Sequence, residues 1–471
     1  MTWLRDRFRR YLNRKHVRPW ALSAPILVLL VALPLLRPLR HPDPRAVSDD
    51  ESVRLATIQS MAERRTEVID PEQVKRIASR LIRVDGQVYA DQSPVLAALL
   101  VGPYWLMAKA GYTFDSNPLL VAYLLTICGA TMPAAVAAGM VYRTTRLFEL
   151  RRIRRASLAA LTVFGSGLIA YATVLNEHAP AAGLLLVATA CLVHITTGNR
   201  KLNAAVWLML AGLAAALAAT IDIAAAPFFV LMACVIPTLR WSATARITGV
   251  LAYLVGAVPA VAFYLALTMP VTGDWRYGAL HPEFAVAPPP PAVAPVVPPW
   301  DLEDDDPGPL AAAGRALFRV WTATGGTHGL FSHFPITLLG ILGISMVMHR
   351  HWPTPTKVLA GASGVGALIV LLTYATSQPD WPAAMFAVRW FVVFAPLLVL
   401  WVGAWLRKGH RPVSWTLAGI AAVFSVLVSL IGAAAGPLQP GGFDGYTAAD
   451  AAAKVFSDAG APPDTSAVAR R

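Results

Sequence analysis

The sequence predicts an all-α polytopic membrane protein, a transmembrane helical bundle of about eleven spans with interfacial helices in its first extracytoplasmic loop. Three observations predict it. Hydrophobic residues make up 56% of the 471 and charged residues 14%, with a mean hydropathy of +0.54, too little charge to cover a soluble domain. Apolar stretches of spanning length, about 17–25 residues, recur along the chain. The basic surplus, net +13, gathers in short runs beside those stretches, where it sets orientation in the membrane. Topology therefore accounts for the charge, and the expected partner is the lipid bilayer and no nucleic acid.

Residues 1–20 form a basic amino terminus carrying Arg5, Arg7, Arg9, Arg10, Arg14, Lys15 and Arg18. The apolar run that follows lacks a small-x-small cleavage site, so it reads as an uncleaved first span with its amino end in the cytoplasm. Spans are expected near 21–38, 117–141, 156–175, 179–196, 203–220, 222–238, 248–269, 335–349, 357–376, 388–405 and 413–434. Cys128, Cys191 and Cys234 all fall inside apolar stretches without a CxxC pair, and read as small core residues, neither disulfides nor zinc ligands.

A further apolar stretch, 93–112, decides the topology. If it does not cross, the basic stretch 143–155, Arg200 with Lys201, Arg240 with Arg246, Arg350 with Lys357, and Arg407 with Lys408 and Arg411 all lie in the cytoplasm. If it crosses, all five lie outside, against the positive-inside rule. The stretch is therefore placed flat on the outer leaflet, with Tyr104, Trp105 and Tyr112 at headgroup level. The long segments then share one side: a first loop 39–116, a second loop 270–334, and a tail 435–471 expected to be without structure. Function is sought on that side.

In the first loop, Ser48 and Glu51 make a capping box opening an amphipathic helix with Leu55, Ile58 and Met61 on one face. A second short helix is expected from Asp70-Pro71, with Val74, Ile77 and Leu81 along it. The carboxylates at the first helix start have two readings. They cap the helix, or, partly desolvated at the bilayer surface, one of them serves as a general base. The second loop contains a Pro-rich and acidic insert, 285–308, which cannot form a packed core and reads as a linker. Residues 314–334, apolar and aromatic with Gly325-Gly326, His328 and His333, read as an interfacial or re-entrant element.

Several motifs carry a resemblance to a known group: Asp49-Asp50-Glu51-Ser52, the run from Asp85-Gly86 through Tyr89 to Gln92-Ser93-Pro94, Gly102-Pro103-Tyr104-Trp105-Leu106, Asn176-Glu177-His178 with Ala181, His328-Gly329-Leu330-Phe331-Ser332, and Arg389-Trp390. With the first span, the long acidic loop and the short basic inner connections, they resemble the GT-C superfamily of lipid-linked-sugar glycosyltransferases. That superfamily includes the family 39 protein O-mannosyltransferases and the aminoarabinose transferases; the likeness is greatest to a group of planctomycete membrane proteins. It covers most of residues 20–405, within a transmembrane domain of 21–434, and leaves out the insert and the tail.

The resemblance implies an inverting sugar transfer from a polyprenyl-phosphate donor at the extracytoplasmic face, in a bacterial cytoplasmic membrane. Asp50, with Asp49 as alternative, is the implied base. Arg389, a lone cation at a span end, is implied to stabilise the leaving phosphate, its other reading being a snorkelling anchor. Relatives often place a lysine before Pro-Pro against the lipid phosphate, and here Gln92 occupies that position, which removes a cation. Tyr89, Asn176, Glu177, His178, Asp222 and His328 complete the implied substrate and lipid-phosphate contacts, although Asn176, Glu177, His178 and Asp222 also read as ordinary turn residues. No cofactor is expected and spacing gives no metal site; any divalent-metal requirement is not legible. A transporter or flippase and a catalytically silent scaffold are the alternatives. Transport is disfavoured because the spans hold almost no charge at depth and show no paired repeat.

Overall fold

The computed structural model describes residues 18–40, 48–75, 77, 80–197, 204–286, 309–326, 329–377, 386–387, 389–407, 412–437 and 447–460. The first span, α1, runs over Arg18–Ala32 and continues by tighter turns to Leu39. The first loop supplies α2 (Asp49–Gln59), a hairpin of β1 (Leu81–Val84) and β2 (Gln87–Ala90), and α3 (Val95–Lys109). Then come α4 (Pro118–Phe148), α5 (Arg152–Phe164), α6 (His178–Thr197), α7 (Ala204–Ile221), α8 (Ile223–Thr238) and α9 (Ala243–Thr272). The last are α10 (Pro309–Thr324), α11 (Ile336–His349), α12 (Thr354–Ser377), α13 (Ala395–Leu406), α14 (Pro412–Ala435) and α15 (Ala448–Gly460).

The protein is an all-α polytopic membrane bundle. Among the described residues seven helices are long and apolar enough to cross a membrane, and α3, α8, α11 and α13 are shorter apolar helices. The expected span 156–175 is broken, because Gly167 sits at φ 79 between α5 and the turn Leu168–Tyr171, with the Phe334 ring packed against it. Small residues let the helices close up: a Cβ on Gly212 of α7 would overlap the carbonyl of Tyr253, and one on Gly256 of α9 that of Met209. At the far end of the bundle from the first loop, Arg155 donates to the Tyr142 carbonyl at 2.6 Å and lies over the Tyr142 ring, tying α5 to α4.

The first loop departs from expectation in four places. The helix from Asp70-Pro71 is a single turn, Pro71–Val74, and the chain then turns into β1; Val74, Ile77 and Leu81 still pack together, against Val53 of α2. The hairpin was not foreseen. Asp85 (φ 50) and Gly86 (φ 79) form its two-residue turn, the pairing of residues that a type I′ turn favours. In the capping box, Ser48 accepts from the Glu51 amide, but the Glu51 carboxylate lies 2.6 Å from Arg37 Nε at the end of the first span. Tyr104, expected at headgroup level, is buried and donates to Glu63, while Trp105 and Tyr112 are exposed.

Elsewhere, Cys128 and Cys234 are exposed on the bundle flank, not in the core, and only Cys191 is buried. The tail expected to lack structure contains α15, which packs on α14; the Ala448 amide that opens it donates to His333 Nε2 at 3.1 Å. Of the insert 285–308, only Ala285 and Val286 are described. They run beside β1, with the Val286 amide donating to the Leu81 carbonyl at 3.0 Å.

Candidate functional site

Ionisable side chains from six separate parts of the chain meet at the end of the bundle that carries the first loop. The first turns of α2 supply Asp50, Glu51 and Arg54, and Arg80 precedes β1. Asp91 and Gln92 follow β2, Glu177 and His178 open α6, Asp222 lies between α7 and α8, and Arg389 begins the turn leading into α13.

Asp50, 6% exposed, is the hub. Arg389 Nη1 donates to its Oδ2 at 2.9 Å, Arg80 Nε lies 2.8 Å from its Oδ1, and Gln92 Nε2 donates to Oδ1 at 2.8 Å. Arg80 also reaches Asp91 Oδ2 at 3.3 Å. Next to this hub, Arg54 pairs with Glu177, His178 Nδ1 with Asp222, and His178 Nε2 lies 3.7 Å from Glu177. The edge is aromatic: the Tyr374 and Trp390 rings stack at 4.5 Å, and the Arg389 guanidinium lies 5.4 Å from the Trp390 ring centre.

These surroundings decide the carboxyl acidities. Burial pushes the Asp50 carboxyl up, but the charges of Arg80 and Arg389, with Arg54 and His178 behind them, outweigh it and hold it well below the usual carboxylate range. Burial likewise opposes ionisation of Glu177, yet Arg54 and His178 bring it down to about 2. Glu51 and Asp91 go the other way: burial raises both, further than Arg37 and Arg80 respectively lower them.

Among the residues the sequence singled out, Asp50, Gln92, Arg389, Glu177, His178 and Asp222 come together. Asn176 does not join them. Its amide donates to the carbonyls of Tyr171 and Val174 and its oxygen caps the Ala179 amide at 2.9 Å, so it holds the turn into α6. Asp222 does both jobs, capping the Ala224 amide at 2.9 Å with one oxygen and holding His178 with the other. Tyr89 lies on β2 beside Glu67, in a separate cavity. The Asp49 side chain and His328 lie outside the described residues, and His333 serves α15. Arg37, Arg54, Arg80, Asp91 and Glu67 were missed. Arg54 and Glu51 share one helix turn with Asp50, a signal that this face of α2 is not solvent-facing.

Four guanidiniums in a buried cluster, held by carboxylates, suit an incoming oxyanion, because each presents a planar fork of donors that a phosphate can take over from a carboxylate. Among the described residues no group of three His, Cys, Asp or Glu side chains is arranged to hold a metal ion.

No protein-family model matches the chain, and no curated protein matches it in sequence. Its fold is similar to solved structures. ArnT from Cupriavidus metallidurans bound to undecaprenyl phosphate aligns with a TM-score of 0.52 at 14% identity, over 88% of this chain and 69% of that one. The same protein in the apo state gives 0.51 at 15% identity, over 84% and 61%. Archaeal oligosaccharyltransferase AglB from Archaeoglobus fulgidus, in complex with an inhibitory peptide and a dolichol-phosphate, gives 0.50 at 14% identity, over 90% and 56%. The chain thus spans 69% and 61% of the two ArnT chains and 56% of AglB, and at these identities what it shares with them is the fold.

Proposed function

We propose that the chain is a membrane glycosyltransferase that moves a sugar from a polyprenyl-phosphate donor to an acceptor hydroxyl at the extracytoplasmic face. The observation that carries this reading is Asp50 held between Arg80 and Arg389 at the loop-bearing end of a fold shared with ArnT and AglB. Arg389 and Arg80 receive the donor phosphate, and as they turn to it they leave Asp50. Its carboxyl then loses the charges that kept it acidic and becomes a competent proton acceptor. The acceptor oxygen attacks the anomeric carbon and its proton passes to Asp50. The bond from that carbon to the phosphate oxygen breaks on the opposite face, and its electron pair leaves on a phosphate that the guanidiniums neutralise. Inversion follows from the single displacement.

In this reading Glu177, His178 and Asp222 hold Arg54 and the α6 start in place and orient sugar hydroxyls. Purified protein given polyprenyl-phosphate sugar, at a temperature where both proteins are folded, tests it: transfer is expected in the wild type and lost in Asp50→Asn, which keeps the shape and removes the base, while full activity in that variant removes Asp50 as base. The orientation belongs to the same reading, with the amino terminus in the cytoplasm and the carboxyl terminus outside. A reporter fused after Arg155 is expected to be cytoplasmic and one fused after Asp306 extracytoplasmic.

The saturation of Asp50 by its own arginines favours a second reading, a silent scaffold of the same fold. Binding decides between them, since a scaffold has no reason to exchange the Asp50 carboxylate for a phosphate. Polyprenyl phosphate that binds wild type and not Arg389→Ala supports the enzyme; no binding to either supports the scaffold.

A further inference from the structure

A cavity of about 490 Å³, with neither Asp50 nor Arg389 in its lining, lies between α3 and α9. Its walls are apolar: Ala98 and Val101 of α3, Phe263, Leu267 and Val271 of α9. Both walls continue into exposed apolar surface, Trp105 and Leu106 on α3 and Val258 and Met269 on α9, and α9 is long and apolar enough to cross a membrane. A groove with such edges suits an acyl chain entering from lipid. Its inner end is polar, formed by Thr66, Glu67 and Tyr89, with Arg65 exposed at the rim.

Glu67 and Tyr89 also line a second, small void of about 20 Å³, together with Gln92, Thr57, Thr268 and Tyr277. That void has room for about one water-sized group. Gln92 fixes what it asks for. Asp50 is acceptor-only, so the Gln92 nitrogen must face it, and the oxygen Oε1 is left buried with no hydrogen-bond partner among the described residues. A buried amide oxygen without a donor has given up its hydration with nothing in return. Glu67 is similarly uncompensated: burial alone pushes its carboxyl up to about 7, and the neighbouring Arg65 does not offset it.

We propose that the groove and the void form an acceptor subsite for a membrane-embedded amphiphile with a neutral, hydroxyl-bearing headgroup. The chain lies between α3 and α9, and headgroup hydroxyls donate to Gln92 Oε1 and Glu67 beside the Tyr89 ring. A phosphate headgroup does not suit this end, since it brings acceptor oxygens and negative charge to an amide oxygen and a carboxylate. Naming the occupant an acceptor rests on the transferase reading, because a hydroxyl on Gln92 Oε1 is one amide group away from Asp50. The binding itself does not.

The test uses the full chain in nanodiscs with dodecyl glucoside carrying a diazirine in its chain, and peptide mapping of the crosslinks. Labelling is expected on α3 near Ala98 and Val101 and on α9 from Phe263 to Val271. Unlabelled dodecyl glucoside should compete it away, dodecyl phosphate should not, and Glu67→Ala and Gln92→Ala should each reduce it at least fivefold. Should Glu67→Ala not fold, Glu67→Gln and Tyr89→Phe, which keep shape, take its place with a threefold reduction expected. Labelling that is indifferent to these changes, or that dodecyl phosphate competes equally well, overturns the subsite. Polyprenyl phosphate binding measured in the same samples separates the two ideas. If it depends on Arg389 while glucoside labelling ignores Glu67 and Gln92, the subsite is wrong and the donor site stands. If glucoside labelling behaves as expected and polyprenyl phosphate does not bind, the subsite stands and the transferase reading falls.

Discussion

Asp50 and Glu67 belong to the same short stretch of the first loop, yet their surroundings are opposite. Asp50 is wrapped by Arg80 and Arg389 and takes a third hydrogen bond from Gln92, so burial does not neutralise it. Glu67 is half-buried against the apolar walls of a groove, and only desolvation shifts it. The difference teaches that two carboxyls can be separated in function by what packs beside them: one is kept as an anion in a cationic cluster, the other is left with a raised pKa beside an apolar groove. Where neighbours push the acidities of two acids apart, their roles are expected to differ as well.

The largest effect should come from removing the anion at the hub. Asp50→Asn leaves Arg80 and Arg389 facing a neutral amide in a buried site, and breaking a buried pair in this way costs about 3–5 kcal/mol. Thermal unfolding at pH 4.5, where wild-type Glu67 is already neutral in the fold, should show a large loss for Asp50→Asn and a small change for Glu67→Gln. Equal melting of the two variants would mean that the Asp50 cluster is not held by charge, and the contrast would collapse.

The next effect depends on pH and has opposite signs at the two sites. Asp50 is depressed, so its stabilising contribution is present above the ordinary carboxylate range and is lost only as pH falls through its still lower folded value. Glu67 is raised from 4.5 to about 7, so the fold is favoured while the group is neutral and loses stability as pH rises from about 4.5 through 7. At about 1.4 kcal/mol per unit, the loss at pH 8 is at most about 3 kcal/mol, reduced by water at the groove mouth. Glu67→Gln should therefore melt like wild type at pH 4.5 and above it at pH 8. A variant with the same pH profile as wild type would show that Glu67 is solvated, like an ordinary surface acid.

Much of this fold could be read from the chain because a membrane span is a local property. Hydropathy over a window of residues and the arginines flanking it needed no knowledge of partners, and the expected spans correspond to helix apart from 156–175, which breaks at Gly167. The hairpin was legible too, in Asp85-Gly86 between apolar residues, but the surrounding helical pattern hid it. The site was only half legible. Asp50 stood out as a carboxylate at a helix start in the first loop and Arg389 as a cation at a span end, whereas nothing in the sequence singled out Arg54 and Arg80. What makes them part of a cluster is pairing across long sequence separations, such as Arg54 with Glu177, and periodicity carries no information about that. Tyr104 failed for a related reason, since an aromatic residue near a bilayer surface suits the headgroup layer or a core equally well, and only the packing of α2 on α3 decides.

A smaller effect concerns the donor side. Arg389→Ala should weaken polyprenyl phosphate by the worth of one charge-assisted hydrogen bond, about 1.5–3 kcal/mol, or roughly tenfold to a hundredfold in Kd. Glucoside labelling at the Glu67 groove should not change. Isothermal titration with the phosphate alone, set beside the labelling assay, reads both. A loss at both sites would show that the two regions respond as one and that their separation is illusory.

The smallest effect on donor binding is expected from Gln92→Lys, which introduces the cation that the resemblance to the GT-C superfamily implies at this position. If the missing lysine were the reason for a weak phosphate site, the variant should bind polyprenyl phosphate far better. Arg80, however, already lies 2.8 Å from Asp50 Oδ1, the atom that Gln92 also contacts, so a guanidinium from the hairpin stands where the lysine charge would act. A further ammonium there meets Arg80 as a like charge, and phosphate affinity should change by no more than about threefold, below 1 kcal/mol. The same substitution deletes the orphan oxygen Oε1, so glucoside labelling should fall as it does in Gln92→Ala. A large gain in phosphate binding would return the donor site to Gln92 and take it away from Arg80.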